Sequence, residues 1–250
     1  IGYIVHRVLQ MIPVFIGVTI LLFILRAPGI LPGDPVRMIT GEKAISQELY
    51  EQIVVKHGLD KPIYVQYGRY LSSLVQGDLG ESYQKSRPVT TILWDKFPNT
   101  LKLALAAIII EMFFGIAAGV ISAIKRYSFW DVLVTFSTSV LVSIPVFWLG
   151  MLLQIMFGIK FKEWGLPYLP ISGMQSAEFP TAIHIILPAV TLASVSTAYA
   201  ARIMRSQLLE VMGQDYIRTA RAKGVSGVKI IWGHAMKNAM IPVITYLGPM

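Results

Sequence analysis

The sequence predicts an all-α integral membrane protein, and its composition, its long apolar runs and the placement of its basic residues all favour this fold class. Hydrophobic residues make up 54% of the 250 positions and charged residues only 14%, whereas soluble domains are roughly a quarter charged. Several apolar runs approach the roughly 20 residues that cross about 30 Å of hydrocarbon. The absence of cysteine excludes disulfides, thiol catalysis and thiolate metal sites.

The first predicted element is a transmembrane helix from about Val8 to Leu25, flanked by Arg7 and Arg26. A cleaved signal peptide is the alternative. The apolar core is long for a signal peptide, and Arg-Ala-Pro after Leu25 lacks the small residues of a cleavage site. We therefore predict that residues 1–26 form a retained N-terminal span.

Residues 27–98 are polar, with eight acidic and eight basic side chains, and are predicted to form an external segment of amphipathic helices. One helix is expected to stop at Gly58, and a second is expected to start at Asp60 or Pro62 and to stop at Gly77. This segment could cap the membrane surface or contact substrate directly.

The remaining 99–250 region is predicted to be the core transmembrane domain. It contains a cytoplasmic loop at 202–238 and four further apolar runs: Asn99–Ile124, Val132–Phe157 with a kink at Pro145, Ile183–Ala201, and one that begins near Ala239. Because the chain opens at Ile1 and stops within the last of these runs, we expect a fragment of a six-span protein with five spans begun.

Basic residues predict the orientation of these spans. The segment from Arg202 to Lys237 holds seven of the 22 basic residues against two acids, Glu210 and Asp215. Short loops rich in Lys and Arg stay in the cytoplasm. This loop, the Lys125–Arg126 connection and the N-terminus are therefore expected inside. A nucleic-acid partner is not needed to explain the positive charge.

The inner loop also has the pattern of two short helices around a glycine. Asp215 is expected to cap the first helix, Gly224 to stop it and Ser226 to cap the second. Small Ala220 and Ala222 would leave room for close approach, while the basic side chains would face an acidic or carbonyl-lined groove. A solvated loop that only sets topology is the alternative.

Two motifs in this loop resemble the cytoplasmic EAA loop of ABC importer membrane subunits. DYIRTARAKG at 215–224 and HAMKNAMIP at 234–242 match the variant found in the dipeptide, oligopeptide and nickel permease family. Further blocks of the same family appear throughout the chain: LPGDP at 31–35, GLDKPIYVQY at 58–67, GDLGES at 77–82, FPNTL at 97–101, SIPVFWLG at 143–150 and LPAVTLA at 187–193.

This resemblance implies a type I ABC permease fold and a set of partners. These are a second homologous permease subunit, two cytoplasmic ATP-binding subunits that hold ATP and magnesium, and an external substrate-binding protein. The resemblance assigns ATPase docking to Asp215, Tyr216, Arg218, Thr219, Ala220, Arg221, Ala222, Lys223 and Gly224. It assigns the second part of the coupling loop to His234, Lys237 and Asn238.

The chain is not expected to be an enzyme or to bind a cofactor or metal itself. It contains no GxxxxGK[ST] phosphate loop and no HExxH helix, and its four histidines lack metal-ligand spacing. ATP hydrolysis is therefore expected on partner subunits.

Polar residues within the spans are candidates for the translocation pathway: Glu111, Ser139, Ser143 and Thr191. An ionisable side chain in mid-span is costly and usually faces a pathway or a partner. Glu111 could thus bind a peptide amino group or pair across a subunit interface, and the hydroxyl residues could equally serve helix packing.

Two functional classes remain open at this point. The favoured one is a permease subunit of a bacterial or archaeal cell-membrane importer for dipeptides or oligopeptides, with nickel chelates and oligosaccharides as alternative cargo. The other is an ion-coupled secondary carrier that uses Glu111 as its proton site, although the paired repeats of such carriers are not evident.

Overall fold

The computed structural model describes residues 2–26, 36, 40, 45–82, 85 and 87–248, and the LPGDP block at 31–35 lies outside them. The regular secondary structure of the described residues is helical apart from one short hairpin. The chain divides into two units, Ile1–Phe97 and Pro98–Met250.

The first unit begins with helix α1, Gly2–Arg26, whose side chains are almost all exposed, as suits a helix surrounded by lipid. Thr19 is the buried residue of this helix in the described part of the chain, at 4% exposed. Its hydroxyl lies 3.1 Å from the Tyr67 hydroxyl, and the Phe23 ring packs on Tyr67 and Tyr70 at centroid distances of 5.3 and 5.9 Å. These contacts fasten α1 to the polar segment that follows.

Two helices form that polar segment, α2 at Gln47–His57 and α3 at Ile63–Val75. Ser46 caps α2 by accepting the Leu49 backbone N–H, and Gly58 ends it with a φ of 64°. Helix α3 follows Pro62 and ends before Gly77, whose φ is 78°. Both predicted glycine stops are therefore confirmed. A two-residue hairpin, β1 at Glu81–Ser82 and β2 at Arg87–Pro88, follows.

Helix α4, Val89–Ile124, starts in the first unit and continues through Pro98 into the second. It therefore begins nearly three turns before the apolar run that predicted it. Val89–Phe97 carries few membrane-compatible features, so the apolar pattern alone gave no signal for this extension.

The third predicted span is broken in the structure. Helix α5, Phe129–Ser143, and helix α6, Val146–Leu153, are joined at Ile144 and Pro145, and the chain bends there by 104°. Proline lacks the N–H that would continue the helix and pushes the preceding residue into extended conformation, and Ile144 has φ −90° and ψ 127°. The expected kinked span is thus two helices. A π-helical segment, Gln154–Lys160, and α7, Phe161–Glu163, complete the second arm.

Helix α8, Thr181–Met212, runs well past the predicted end of its apolar run and stops at Gly213. The coupling loop then forms α9, Asp215–Ala222, α10, Gly227–Lys229, and a π-helical segment, Ile230–Ala235. Helix α11, Met236–Leu247, continues the π segment.

Among the described residues, three helices are long and apolar enough to cross a membrane, or four if the bent pair counts as one span. These are α1, α4 and α8, with α5–α7 as the bent pair. Helix α11 occupies the position of the fifth predicted span. The six-span count for a full-length protein stays a prediction.

Close crossing of α4 and α8 forms the centre of the second unit. A Cβ placed on Gly119 would lie 2.6 Å from the Ala201 carbonyl oxygen and 2.6 Å from the Met204 Cβ. One placed on Gly115 would lie 2.8 Å from the Ala200 Cβ. Small residues spaced by four let helix backbones approach in lipid, so Gly115 and Gly119 fix this crossing.

Candidate coupling site and pathway

Helix α9 has two distinct faces, and its inner face is fastened to the transmembrane core. The Ile217 side chain is 0% exposed and Ala220 is 8% exposed. They join one buried cluster with side chains from α4, α8, the π-helical segment and α11: Val120, Ala123, Met204, Leu208, Val211, Ile230, Ala235, Met236, Ala239 and Val243. A short helix thus rests on four other elements.

The outer face of α9 holds the remaining predicted docking residues. All of these are exposed: Asp215, Tyr216, Arg218, Thr219, Arg221, Ala222, Lys223 and Gly224. Ala220 was expected to leave room for a partner, but it points into the chain's own core. Ala222 is the one of the two small residues that leaves space on the outer face.

The ends of α9 differ from each other in how they are built. Gln214, not Asp215, occupies the N-cap position, and no side chain caps this end. The expected cap at Asp215 is therefore wrong: this residue already lies in the helix, where its carboxylate accepts a hydrogen bond from Arg218 Nη1 at 3.2 Å and its backbone carbonyl accepts one from the Thr219 hydroxyl.

At the other end, Gly224 adopts the left-handed conformation with a φ of 76°. Its N–H donates to the Arg221 carbonyl at 2.9 Å, and the Val225 N–H donates to the Ala220 carbonyl at 3.2 Å. The predicted glycine stop is confirmed. Ser226 holds the N-cap position of α10, but its hydroxyl makes no capping hydrogen bond.

The second part of the coupling loop is tied directly to α9. The Asn238 side-chain amide donates to the Tyr216 hydroxyl at 2.8 Å. Ala235 and Ala239 are fully buried beside it, while His234 and Lys237 are exposed. Asn238 and Tyr216, assigned to separate parts of the loop, therefore meet. Their predicted role in coupling is not tested by this contact.

An ion pair that the sequence did not indicate joins three elements near this loop. The Arg205 guanidinium donates to both carboxylate oxygens of Asp131, at 2.8 and 2.9 Å, and to the Ser122 hydroxyl at 3.0 Å. The Ser122 hydroxyl donates to the same carboxylate, as does the Tyr127 N–H at 2.9 Å. Asp131 is 5% exposed.

This bidentate arrangement holds the end of α4, the start of α5 and the extension of α8 together. Such charge-assisted pairs combine strength with fixed geometry. Sequence spacing gave no signal because Asp131 and Arg205 are 74 residues apart. Arg205 is therefore committed to an ion pair within the chain, and is not part of the free charge of the inner loop.

The predicted pathway residues do not form a single cluster. Ser139 and Ser143 are exposed on α5 and donate to the carbonyls of Thr135 and Ser139, at 2.9 and 2.8 Å. Thr191 on α8 donates to the Leu187 carbonyl at 2.8 Å. Its methyl group lies 3.1 Å from where a Cβ on Gly150 would be, so it packs α6 against α8.

Glu111 lies on the crossing face of α4, one turn before Gly115, and is 3% exposed. Its Oε1 atom has no hydrogen-bond partner among the described residues. In this conformation the carboxyl group is enclosed within its own subunit. Its predicted role in the pathway stays a prediction.

A cavity of about 430 Å³ lies between α6, α8 and the connecting segment at 164–180. Thr191 and His184 contribute to its wall. The buried His184 ring lies 3.1 Å from the Ser172 carbonyl through Nδ1 and 3.2 Å from the Ser176 hydroxyl through Nε2. His184 thus anchors the connecting segment on α8, which its isolated position in the sequence did not reveal.

Comparison with known families and proteins agrees with this architecture. Residues 115–249 match the family described as binding-protein-dependent transport system inner membrane component. Residues 1–104 match the N-terminal family of the same transport-system membrane components. The two matches together account for nearly the whole chain.

Individual relatives are similar over nearly the full chain. Identity is 37% to the di/tripeptide transport system permease protein DppB of Pseudomonas aeruginosa, over 99% of this chain and 78% of that protein. It is 39% to the oligopeptide transport system permease protein AppB of Bacillus subtilis, over 100% and 78%. It is 40% to the glutathione transport system permease protein GsiC of Escherichia coli, over 99% and 76%. The chain therefore belongs to the family of inner membrane components of binding-protein-dependent transport systems, the permease subunits of ABC importers.

Proposed function

We propose that this chain forms half of the translocation pathway of a peptide importer and receives an ATPase subunit on the outer face of α9. The names of its relatives refer to di/tripeptides, oligopeptides and glutathione, which supports a peptide cargo. The proposed complex contains a second homologous permease, two cytoplasmic ATPases that bind ATP and magnesium, and an external binding protein. The N-terminus and α9 lie in the cytoplasm.

The observation that carries the proposal is the asymmetry of α9. Its inner face is locked into the core through Ile217 and Ala220. Its outer face presents basic side chains and the small Ala222 to the surroundings. A helix built only to set topology would not need an apolar face fastened to the transmembrane helices.

Packing makes α9 suitable for transmitting force. Protein interiors are close-packed and transmit displacement instead of absorbing it. Because α9 shares one buried cluster with α4, α8 and α11, a pull on α9 must move those helices. ATP-driven closure of the ATPases would in this way switch the pathway between outward and inward access.

Charge on the outer face is available to a partner. The pair between Arg218 and Asp215 has side chains that are 73% and 94% exposed, and such exposed pairs are worth only about 0–1 kcal/mol. Among the described residues, Arg221 and Lys223 form no ion pair within the chain. An acidic or carbonyl-lined groove on the ATPase would complement them.

Charge reversal at one of these positions tests the docking role. Arg221→Glu, expressed with the native partners, should reduce the amount of ATPase that copurifies with the permease, because α9 stays folded while its outer charge is inverted. Lys125→Glu is the matched control, since it makes the same change at an exposed residue outside α9. Equal ATPase recovery from both variants would contradict docking at α9.

Cargo is tested separately, by reconstituting the full transporter with its binding protein. ATP-dependent uptake of a labelled dipeptide or oligopeptide is expected. Uptake of a nickel chelate or an oligosaccharide in place of any peptide would redirect the cargo assignment and leave the docking proposal standing. An ion-coupled carrier is not supported, because the chain belongs to an ABC permease family.

A further inference from the structure

We infer that Arg202 and the hydroxyl face of α5, formed by Thr135, Ser139 and Ser143, bind short peptides as they pass through the transporter. The Arg202 guanidinium binds the C-terminal carboxylate of the peptide. The inference rests on the proposed peptide cargo and orientation. It deepens them by naming the residues that hold the peptide and the end of it that each residue recognises.

Two arginines lie one turn apart on α8, and their surroundings differ. Arg205 is committed to Asp131 through two hydrogen bonds. Arg202 is exposed, and its Nη2 atom donates to the Ser139 hydroxyl at 3.3 Å. No acidic side chain in the described part of the chain forms an ion pair with Arg202. One arginine therefore holds the fold, and the other is left with most of its donors free.

The Arg202 side chain reaches toward the middle of the span. Ser139 follows Asp131 by eight residues, or about 12 Å along α5, whereas Arg202 precedes Arg205 by only three residues, or about 4.5 Å along α8. The Arg202 guanidinium therefore lies farther from the Arg205 guanidinium along the helix axis than the spacing of their backbone positions requires. This is the direction in which helical side chains lean, toward the N-terminus.

A charged side chain that extends into the bilayer region is costly unless it faces water or an opposite charge. Arg202 forms no ion pair in the described part of the chain, and its guanidinium lies beside Ser139 on α5. Its position is best explained by a water-filled path along α5 that anions enter.

The hydroxyl face of α5 continues this path. Thr135, Ser139 and Ser143 are spaced by four residues and are all exposed. The Ser139 and Ser143 hydroxyls donate their hydrogens to carbonyls one turn back. The Ser143 oxygen therefore remains as an acceptor, and the Ser139 oxygen accepts from Arg202. Acceptor oxygens suit ammonium and amide N–H groups and not carboxylates. Donors at Arg202 and acceptors along α5 complement the two ends of a peptide.

The spacing fits a short peptide. Ser143 lies one helical turn, about 6 Å, beyond Ser139 and its arginine, and two extended residues span about 7 Å. A dipeptide could place its carboxylate on Arg202, whose planar guanidinium suits bidentate carboxylate binding. Its amino end would then lie beside the Ser143 hydroxyl, and longer peptides would pass through the same site.

The cysteine-free chain allows a direct test in the assembled transporter. Ser139→Cys should react with water-soluble methanethiosulfonate reagents, and the anionic sulfonate reagent should react about tenfold faster than the cationic trimethylammonium reagent once both are scaled to a free thiol. Adding Arg202→Gln should abolish that preference. Leu133→Cys, at a residue 40% exposed and about 120° around α5 from Ser139, is the control and should not react.

Failure of Ser139→Cys to react, or an anion preference that survives Arg202→Gln, would overturn the inference. Equal reaction of Ser139→Cys with the two reagents would also count against the inference. An acidic side chain from the second permease that neutralises Arg202 would give that result. This readout uses no peptide, so it is independent of the cargo proposal.

Uptake measurements provide a second test of the inference. Arg202→Gln should raise the KM for a dipeptide about tenfold, as expected for loss of a charge-assisted contact of about 1.4 kcal/mol, and Arg202→Lys should restore part of the loss. For a C-terminally amidated dipeptide, Arg202→Gln should raise the KM far less relative to the unmodified chain. Equal losses for both peptides would contradict carboxylate recognition, whereas no peptide uptake by the unmodified transporter would contradict the proposed cargo.

Discussion

Replacement of Gly224 by residues that resist positive φ should loosen the coupling loop in a graded way. The residue has a φ of 76°, and a Cβ built on it would meet no heavy atom within 4 Å. The cost of a side chain here is therefore torsional and not steric. Asn tolerates the left-handed region better than other L-residues, so the expected order of increasing damage is Asn, Ala, Val.

The magnitude follows from the backbone preference alone. An L-residue in the left-handed region costs roughly 1–2 kcal/mol, and a β-branched residue lies at or above the upper end. A loss of about 2 kcal/mol raises the population of the opened turn by about thirtyfold. The two hydrogen bonds that close α9, from Gly224 to Arg221 and from Val225 to Ala220, would open together.

Limited trypsin digestion of vesicles with the inner face exposed measures this opening, because cleavage of a rapidly opening segment follows the open population. Cleavage after Arg221 and Lys223 should accelerate by about thirtyfold in Gly224→Val if local opening costs that energy. Gly227→Val is the matched control: position 227 has no positive φ and equally open space. Equal cleavage of Gly224→Val and the unmodified chain, or equal acceleration in Gly227→Val, would refute the reasoning.

Three other predictions concern stability in detergent. Asp131→Asn should lower the free energy of unfolding by about 3 kcal/mol, because it leaves a partly buried arginine uncompensated. Asp95→Asn, which breaks an exposed pair, should cost less than about 1 kcal/mol. Gly119→Ala should lower the free energy of unfolding by about 1–3 kcal/mol by forcing α4 and α8 apart, since its Cβ would lie 2.6 Å from a backbone carbonyl. Gly17→Ala, with nothing within 4 Å, should be neutral. Equal unfolding midpoints for the two variants would contradict the close crossing. The hydrogen bond to Glu178 raises the pKa of Tyr168. The stabilising contribution of this hydrogen bond is therefore present below pH about 10 and is lost as the pH rises through the raised pKa. Tyr168→Phe should remove this loss of stability at high pH.

The sequence predicted most of the helical framework because its signals were local. Glycine stops at Gly58, Gly77 and Gly224 follow from the conformational freedom of glycine, and all three have positive φ at helix ends. Apolar runs located α1, α4 and α8. The family resemblance, and with it a transport component of the inner membrane that is not an enzyme, is confirmed by the comparisons.

Tertiary features gave weaker signals. Pro145 predicted a kink, but the 104° bend depends on how the second arm packs on α8. The inward direction of Ala220 was missed, although Ile217 and Ala220 lie three residues apart and form the apolar stripe of an otherwise polar helix. The pairing of Asp131 with Arg205 depends on the approach of α5 to α8, which no local pattern encodes.

The candidate site was located in part. The coupling loop was recognised from its motif, whereas Arg202 was read only as one of several topogenic charges. Its distinction from Arg205 appears only in three dimensions, where one guanidinium meets a carboxylate and the other meets a hydroxyl. A spacing of three residues on one helix gave no indication that the two would differ.

The measurement that tests the coupling role most directly is cysteine cross-linking in the native complex. Ala222→Cys places a thiol on the exposed face of α9 in a chain that has no other cysteine. A short bifunctional reagent should link this position to an ATPase subunit, with a yield that changes when ATP is added, while Lys125→Cys should give no such product. Absence of a link from Ala222→Cys in a complex that retains its ATPases, or equal linking from both positions, would contradict the account.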